Sequence, residues 1–155
     1  MSDTSSPWKP LVTVACVVER EGRFLMVEET IGGRIVLNQP AGHLESGESL
    51  VAAVARETLE ETGWRFTPEY LLGIYRWQLP AEDRTYLRFA FGGVLHDAGD
   101  ALRGKLDVGI RGTHWLSYND LQRQPERLRS GLVLVAIEDY LAGRRYELDL
   151  LRDLQ

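Results

Sequence analysis

The segment Gly42–Trp64 concentrates acidic side chains at helical spacing. Glu57, Glu60 and Glu61 fall at i, i+3 and i+4, which places them on one face of a helix. Each like-charge pair at this spacing destabilises an isolated helix by about 0.2–0.5 kcal/mol, and Arg56 is the one basic residue within a turn. A divalent cation would remove the repulsion, because Mg²⁺ prefers carboxylate and carbonyl oxygens and commonly bridges them to substrate phosphates. These residues predict a Mg²⁺ site, with Mn²⁺ as an alternative, that assists hydrolysis of a phosphoanhydride.

A run of glutamates on a helix is usually a solvated acidic face, but the repulsion among these glutamates, with only Arg56 to compensate it, argues against that interpretation, as do the acids before the helix. The loop before the helix adds two further acids, Glu45 and Glu48, to the same region. The helix itself contains no histidine or cysteine, the ligands that a zinc site favours. A cation held there would also let a protein of net charge −5 bind a phosphate ester.

The helix that carries these carboxylates has recognisable ends. Ser49 is typical of an N-cap, and Gly63 stands where a left-handed residue ends a helix. On a helical wheel of 3.6 residues per turn, the residues expected to face the core occupy an arc that is separate from the arc of the carboxylates. The members of this core arc are Val51, Val54, Ala55, Thr58 and Thr62.

The rest of the chain alternates predicted strands and helices. The strands are expected at 11–18, 23–28, 34–37, 70–79, 85–95 and 113–116, and the helices at 118–124 and 132–141. Residues 80–83 form a hairpin loop and 97–107 an irregular, mobile segment. This order favours an α/β sandwich around a mixed β-sheet, with a flexible leader over 1–9 and a single domain over 10–155.

The composition of the chain argues against nucleic-acid partners, secretion and insertion into a membrane. A net charge of −5 and a pI near 5.2 count against general nucleic-acid binding. Cys16 is the single cysteine and lies in an apolar strand, so we expect a buried thiol. The N-terminus lacks the basic and apolar regions of a signal peptide, and the apolar run 132–137 is far shorter than the roughly 20 residues that span a bilayer. We expect a cytoplasmic protein without membrane contact, monomeric or a small homo-oligomer.

The pattern of Gly42–Trp64 resembles the Nudix box, the signature of the Nudix hydrolases. The matching positions are Gly42, Glu48, Arg56, Glu57, Glu60, Glu61, Gly63 and Trp64. Thr58 departs from the pattern, since the family usually has an aliphatic residue there, and we expect this to affect packing more than chemistry. The resemblance implies a Nudix-type α/β/α sandwich and a metal-dependent hydrolase.

The resemblance also implies roles for individual residues. Glu57, Glu60 and Glu61 are the expected metal ligands, with Glu61 the most indispensable. The backbone carbonyl of Ala41 is a plausible further ligand, and Gly42 permits the tight loop that brings this backbone near the metal.

Two further roles stay open at this stage. Glu48 and Arg56 either pair to orient Glu57 or form a purely structural salt bridge, and we weigh the two interpretations equally. The general base is either a glutamate of the box or an acid on a later loop. The candidates outside the box are Glu82, Asp83 and Asp107.

A narrower likeness indicates the substrate class. The segments VTVACVV, EGRFLMVEETI, NQPAGHLE, LRFAF and SGLV…GRRYEL together are similar to a bacterial subgroup of Nudix phosphatases. That subgroup acts on nucleoside tri- and diphosphates and on hydroxymethylpyrimidine pyrophosphate. The alternatives are an ADP-ribose-type pyrophosphatase, since Pro80 lies near the region where that group keeps a proline, and a hydrolase that removes oxidised nucleotides. A non-catalytic nucleotide sensor is disfavoured, because every charged position of the box is present.

Substrate contacts are predicted outside the box. Arginines on the later strands could bind phosphate oxygens, as arginine does with paired hydrogen bonds; they are Arg76, Arg84 and Arg88. Trp77 and Tyr75 could stack on a base, although strand aromatics more often pack in a core. Gln39 could bond to a base edge, and His43 could face a phosphate. The expected partner is a small phosphoanhydride molecule.

Overall fold

The computed structural model describes residues 6–97 and 106–154, so residues 1–5 of the predicted leader and 98–105 of the predicted irregular segment lie outside it. Nine strands and three α-helices are described. In chain order they are β1 (Leu11–Cys16), β2 (Glu19–Arg20), β3 (Arg23–Ile31), β4 (Arg34–Asn38), β5 (Ala41–His43), α1 (Leu50–Thr62), β6 (Trp64–Leu79), β7 (Arg84–Asp97), β8 (Ile110–Ser117), α2 (Tyr118–Gln122), α3 (Leu132–Leu141) and β9 (Tyr146–Glu147). Short 3₁₀ turns cover Pro80–Glu82, Pro125–Arg127 and Leu148–Leu150.

The strands form two sheets. The larger sheet has the strand order β5-β1-β7-β6-β9. In this sheet β1 runs parallel to β7, and all the other neighbouring strands are antiparallel. In the smaller sheet, β3 pairs with β2, β4 and β8. The predicted mixed sheet is therefore confirmed.

Alternation along β1 divides the core into two layers. Val14 and Cys16 face one way and join Val54 of α1, whereas Ala15 and Val17 face the other way and join Ile137 of α3. Helices therefore cover both faces of the larger sheet, as an α/β/α sandwich requires. The thiol of Cys16 is fully buried, as predicted, and burial raises its pKa to about 12.

Helix α1 begins and ends as its sequence predicts. The Ser49 hydroxyl accepts a hydrogen bond from the Ala52 N–H, and Gly63 adopts a left-handed φ of 73°. Glu57 and Glu61 are buried along with Ala53, so the carboxylate side of this helix is covered and not exposed to solvent. The edge of β5 faces this helix, so the buried surface of the helix extends beyond its apolar residues to Glu57 and Glu61.

Strands β6 and β7 are longer than predicted and form a long antiparallel hairpin. The sequence prediction starts this strand at Tyr70. The strand instead begins at Trp64 and accommodates Pro68 with a shift of register between Pro68 and Tyr70. Within the described residues, no helix is both long and apolar enough to cross a membrane.

Candidate active site

The open edge of β5 faces helix α1. The Ala41 N–H donates to Glu61 Oε1 at 2.6 Å, and the His43 carbonyl accepts from Arg56 Nη2 at 3.1 Å. Alternate residues of an antiparallel edge strand direct their backbone groups to the same side, so the Ala41 carbonyl also lies on the α1 side. Gly42 between them was predicted in a loop and is instead in β5, where it pairs with Val14 of β1.

Gly42 lets the carboxylate of Glu57 approach the strand. A Cβ atom built on Gly42 would lie 2.1 Å from Glu57 Cδ, well inside van der Waals contact. The need for glycine here is a close approach, since Gly42 is not among the glycines with positive φ. Glu57 is consequently 9% exposed and pressed against the backbone of β5.

Arg56 connects the acids of the loop and the helix. Its Nε and Nη2 donate to the two oxygens of Glu48 at 3.0 and 2.7 Å, a bidentate pair. Its Nη1 donates to Glu57 Oε1 at 3.0 Å and to Glu60 Oε2 at 3.1 Å. The Glu48–Arg56 pair that the sequence indicates is present, and the hydrogen bond with Glu48 is the main cause of the raised pKa of Arg56.

Three carboxylates converge beside this arginine. Oxygens of Glu57, Glu60 and Asp107 all lie within 4.8 Å of one another. Asp107 comes from the segment before β8, and its N–H donates to the Glu60 carbonyl at 3.0 Å, which fixes that segment against α1. We call these three residues the acidic cluster. An oxygen-only donor set of this kind suits a hard divalent cation.

Burial acts against the charge of these acids when no cation is present. Desolvation raises the pKa of Glu57, and Glu60 and Asp107 add repulsion. Burial likewise raises the pKa of Glu61 to about 9, with further repulsion from Glu29 and Glu57. A divalent cation would stabilise the ionised carboxylates of the acidic cluster, so the residues present fit such an ion.

The sequence and the structure differ over which acids converge. Glu61 was expected beside Glu57 and Glu60 as a ligand, but it lies outside the acidic cluster and is bonded to the Ala41 N–H. Asp107 was considered only as a candidate base. The structure does not bring Glu82 and Asp83 to this cluster; they lie at the β6–β7 turn, where Glu82 pairs with Arg84 at 3.4 Å.

A cavity of about 200 Å³ lies on the other side of β5. It is lined by Thr13, Glu29, Ile31, Asn38, Ala41, Gly42, His43, Tyr86, Arg88 and Arg129. Two predicted substrate residues, His43 and Arg88, are among them, and Trp77 stacks on Tyr86 with ring centroids 5.5 Å apart.

The remaining predicted contacts lie elsewhere. Gln39 is buried and donates through Nε2 to the Val133 carbonyl of α3 at 2.8 Å, so it anchors a helix. Arg76 is exposed beside Gln78, and the Tyr75 hydroxyl donates to Asp139 at 2.7 Å. Sequence reasoning missed four polar lining residues, because they come from separate strands and a loop; they are Thr13, Glu29, Asn38 and Arg129.

Comparison with known proteins agrees with this geometry. The sequence model of the NUDIX domain matches residues 9–135. Phosphatase NudJ of Escherichia coli K12 is 44% identical over 147 residues, which cover 94% of this chain and 93% of that protein. A NUDIX hydrolase structure from Nitrosomonas europaea is 48% identical, covers 94% of this chain and 98% of its own, and superposes with a TM-score of 0.90.

A more distant structure shares the fold. The MutT protein of Methanosarcina mazei Go1 is 23% identical, covers 90% of this chain and 99% of its own, and gives a TM-score of 0.70. The matched residues 9–135 contain the whole Gly42–Trp64 segment, with Arg56 and the box glutamates in place. The chain belongs to the Nudix family and is a Nudix hydrolase.

Proposed function

We propose that this protein hydrolyses a phosphoanhydride bond of a nucleoside di- or triphosphate, or of a pyrimidine pyrophosphate, with a bound Mg²⁺ or Mn²⁺ ion. The observation that carries the proposal is the acidic cluster, whose oxygens lie within 4.8 Å of one another. The substrate class is supported by the 44% identity to a protein named as a phosphatase. A net charge of −5 agrees with a small-molecule substrate in preference to nucleic acid.

Glu57, Glu60 and Asp107 would hold the cation, and the Ala41 carbonyl at the edge of β5 is placed to add a backbone oxygen. A divalent cation at this position would lower the pKa of a bound water and polarise the phosphoryl oxygens. Glu61 then has a positioning role, because its hydrogen bond to the Ala41 N–H fixes the strand that presents this carbonyl.

Arg56 keeps the carboxylates in place. It donates to Glu48, Glu57 and Glu60 at once, so the two cluster glutamates are oriented by one side chain. Glu48 in turn accepts from the Glu45 N–H at 2.8 Å, which ties the loop to the helix. Under this proposal the Glu48–Arg56 pair has both roles, since the same contacts would brace the loop and orient Glu57.

A product assay tests this proposal. The purified protein would be incubated with nucleoside di- and triphosphates, ADP-ribose and hydroxymethylpyrimidine pyrophosphate, with Mg²⁺, with Mn²⁺ and with EDTA. We expect cation-dependent release of orthophosphate from the nucleoside di- and triphosphates and from hydroxymethylpyrimidine pyrophosphate. Release of pyrophosphate, or AMP from ADP-ribose as the main product, would assign the chain to one of the alternative activities.

A variant links the activity to the acidic cluster. Glu57→Gln should lower kcat/KM by at least about 100-fold and raise the Mg²⁺ concentration needed for half-maximal rate. Glu69→Gln is the matched control, since Glu69 is an exposed acid on β6. Equal activity of the two variants would refute the cation site.

A further inference from the structure

Asp107 is the first residue of a tight turn that leads into β8. The Ile110 N–H donates to the Asp107 carbonyl at 3.1 Å, which closes a four-residue β-turn. Gly109, the third residue of this turn, has a φ of 93°, whereas Val108 is not among the described residues with positive φ. A positive φ at the third position alone defines a type II turn, which favours glycine there. We call residues 107–110 the cluster turn.

Two further hydrogen bonds attach the cluster turn to the elements on either side of it. The Asp107 N–H donates to the Glu60 carbonyl at 3.0 Å, in the last turn of α1, where carbonyls have no partner within the helix. The Gly109 carbonyl accepts from the Thr30 N–H of β3 at 2.9 Å. The cluster turn therefore joins α1 to β3, and its first bond holds together two residues whose carboxylates belong to the acidic cluster.

A β-bulge lies where β8 leaves the cluster turn. Glu28 of β3 pairs with Gly112 of β8. The next pair is Glu29 with Ile110, so Arg111 is the extra residue of a bulge. A bulge bends its strand, and bulges are common beside active sites, where they redirect the chain. The bulge and the cluster turn together carry the chain from the sheet to the end of α1 within a few residues.

The backbone conformation of Gly109, and not the space around it, requires glycine. A Cβ built on Gly109 would meet only the Thr30 carbonyl oxygen, at 3.8 Å, which is an ordinary contact. The side chain of Val108 is fully exposed, so packing of the tip does not hold the turn closed. An L-residue with a side chain is strained at positive φ, and a substitution at Gly109 would therefore act on the turn without a steric clash.

We propose that Gly109 is a positioning residue of the cation site: its left-handed conformation closes the cluster turn and thereby holds the Asp107 carboxylate beside Glu57 and Glu60. This inference rests on the proposed function, in which Asp107 is a cation ligand. The backbone bond from Asp107 to Glu60 transmits the effect, because a turn that opens moves the Asp107 N–H and carboxylate together.

A graded series at Gly109 tests the proposal, with Mn²⁺ alone as the probe and its binding followed by the EPR signal of the free ion. Gly109→Val should weaken Mn²⁺ binding by about 10-fold or more, as the loss of support around a metal ligand does. Gly109→Ala should lie between valine and the parent, and Gly109→Asn should stay near the parent, because asparagine tolerates positive φ.

Gly22→Val is the matched control for backbone strain. Gly22 has a φ of 77° at the β2–β3 turn, and a Cβ there meets no heavy atom within 4 Å. This variant should carry a similar strain and keep the parent's affinity for Mn²⁺. Equal affinities of Gly109→Val and Gly22→Val, or an affinity in Gly109→Asn as low as in Gly109→Val, would overturn the proposal.

A double variant tests whether Gly109 acts through Asp107. Asp107→Asn alone and Asp107→Asn combined with Gly109→Val should bind Mn²⁺ within about 2-fold of each other, because the carboxylate that the turn positions is already absent. Losses that add would show that Gly109 acts on the site by another route, and would contradict the proposal.

Hydrogen exchange provides a readout that needs neither a cation nor hydrolysis. In EDTA, the Asp107 amide should exchange faster in Gly109→Val than in the parent, and Gly22→Val should leave it unchanged. If Gly109→Val loses Mn²⁺ affinity while the parent hydrolyses no phosphoanhydride, the proposed function fails and the positioning role stands. If the parent hydrolyses its substrate with Mn²⁺ and Gly109→Val binds Mn²⁺ as the parent does, the positioning role fails alone.

Discussion

The carboxylate of Glu57 occupies the space that a side chain on Gly42 would need. A Cβ on Gly42 would lie 2.1 Å from Glu57 Cδ and 2.2 Å from Oε1. The glycine of the box is therefore needed because a specific carboxylate approaches it closely. Its backbone conformation does not itself require glycine, since its φ is not positive.

Gly42→Ala should inactivate the enzyme while the fold persists. The clash is with the end of a flexible side chain, so Glu57 can move away at a cost of about 1 kcal/mol in the free energy of unfolding. The moved carboxylate no longer meets Glu60 and Asp107, and we expect kcat/KM to fall by at least about 100-fold. Gly112→Ala in β8 is the control, because a Cβ there meets no heavy atom within 4 Å. Thermal melts and Mg²⁺ titrations would measure both effects, and full activity of Gly42→Ala would contradict the geometry.

Asp107→Asn should weaken the cation site although Asp107 lies outside the box. One of three converging carboxylates loses its charge, so the Mg²⁺ concentration for half-maximal activity should rise by about 10-fold or more. The backbone hydrogen bond to Glu60 remains available, so the loop should keep its place. Asp83→Asn, at the β6–β7 turn, serves as the comparison. Identical Mg²⁺ dependence in the two variants would remove Asp107 from the site.

Arg56→Lys should lower activity although it conserves charge. Lysine cannot provide the planar donors that contact Glu48, Glu57 and Glu60 together. We expect a loss of about 10- to 100-fold in kcat/KM, since orienting residues around metal ligands contribute on this scale. Arg65→Lys, at an exposed position of β6, should be neutral. Wild-type kinetics for Arg56→Lys would show that the arginine acts only as a counter-charge.

Glu61 should make the cation-free protein less stable as pH rises. Its pKa is about 9 in the folded chain, chiefly through burial, against 4.5 as its ordinary value. Between these values the folded state holds a proton that the unfolded state has released, so the free energy of unfolding falls with increasing pH. Denaturation in EDTA at about pH 5, 7 and 9 should show this decline.

Replacement of Glu61 by glutamine removes its titration. The decline should be shallower in Glu61→Gln and should persist in part, because burial also raises the pKa of Glu57. Glu69→Gln should reproduce the parent's slope. A slope that is unchanged in Glu61→Gln would mean that the buried carboxyl titrates normally.

Local signals account for what the sequence predicted well. Ser49 and Gly63 define the ends of α1 through contacts within a few residues, and these are visible in the sequence. A run of β-branched and apolar residues predicts β1 as a buried strand for the same reason. The Nudix box adds the Glu48–Arg56 pair, whose members are only eight residues apart.

Long-range packing accounts for what the sequence did not predict. Asp107 reaches Glu60 only because the segment before β8 hydrogen-bonds to α1. Arg129 reaches the cavity because its N–H donates to the Leu37 carbonyl at 2.8 Å, across more than ninety residues. Gln39 carries no local sign that it would bond to α3 instead of a substrate. Such contacts depend on strand order, which hydrophobic periodicity does not encode.

The position of β5 between the acidic cluster and the cavity affects how this enzyme can change. The residues that face α1 and those that face the cavity alternate along one three-residue strand. Substitutions at Thr13 or Asn38 therefore alter the cavity without replacing a residue of the acidic cluster, whereas Arg88 also interacts electrostatically with Glu61. Side chains of the cavity can thus vary one at a time, in design or in evolution, while the acidic cluster keeps its own residues.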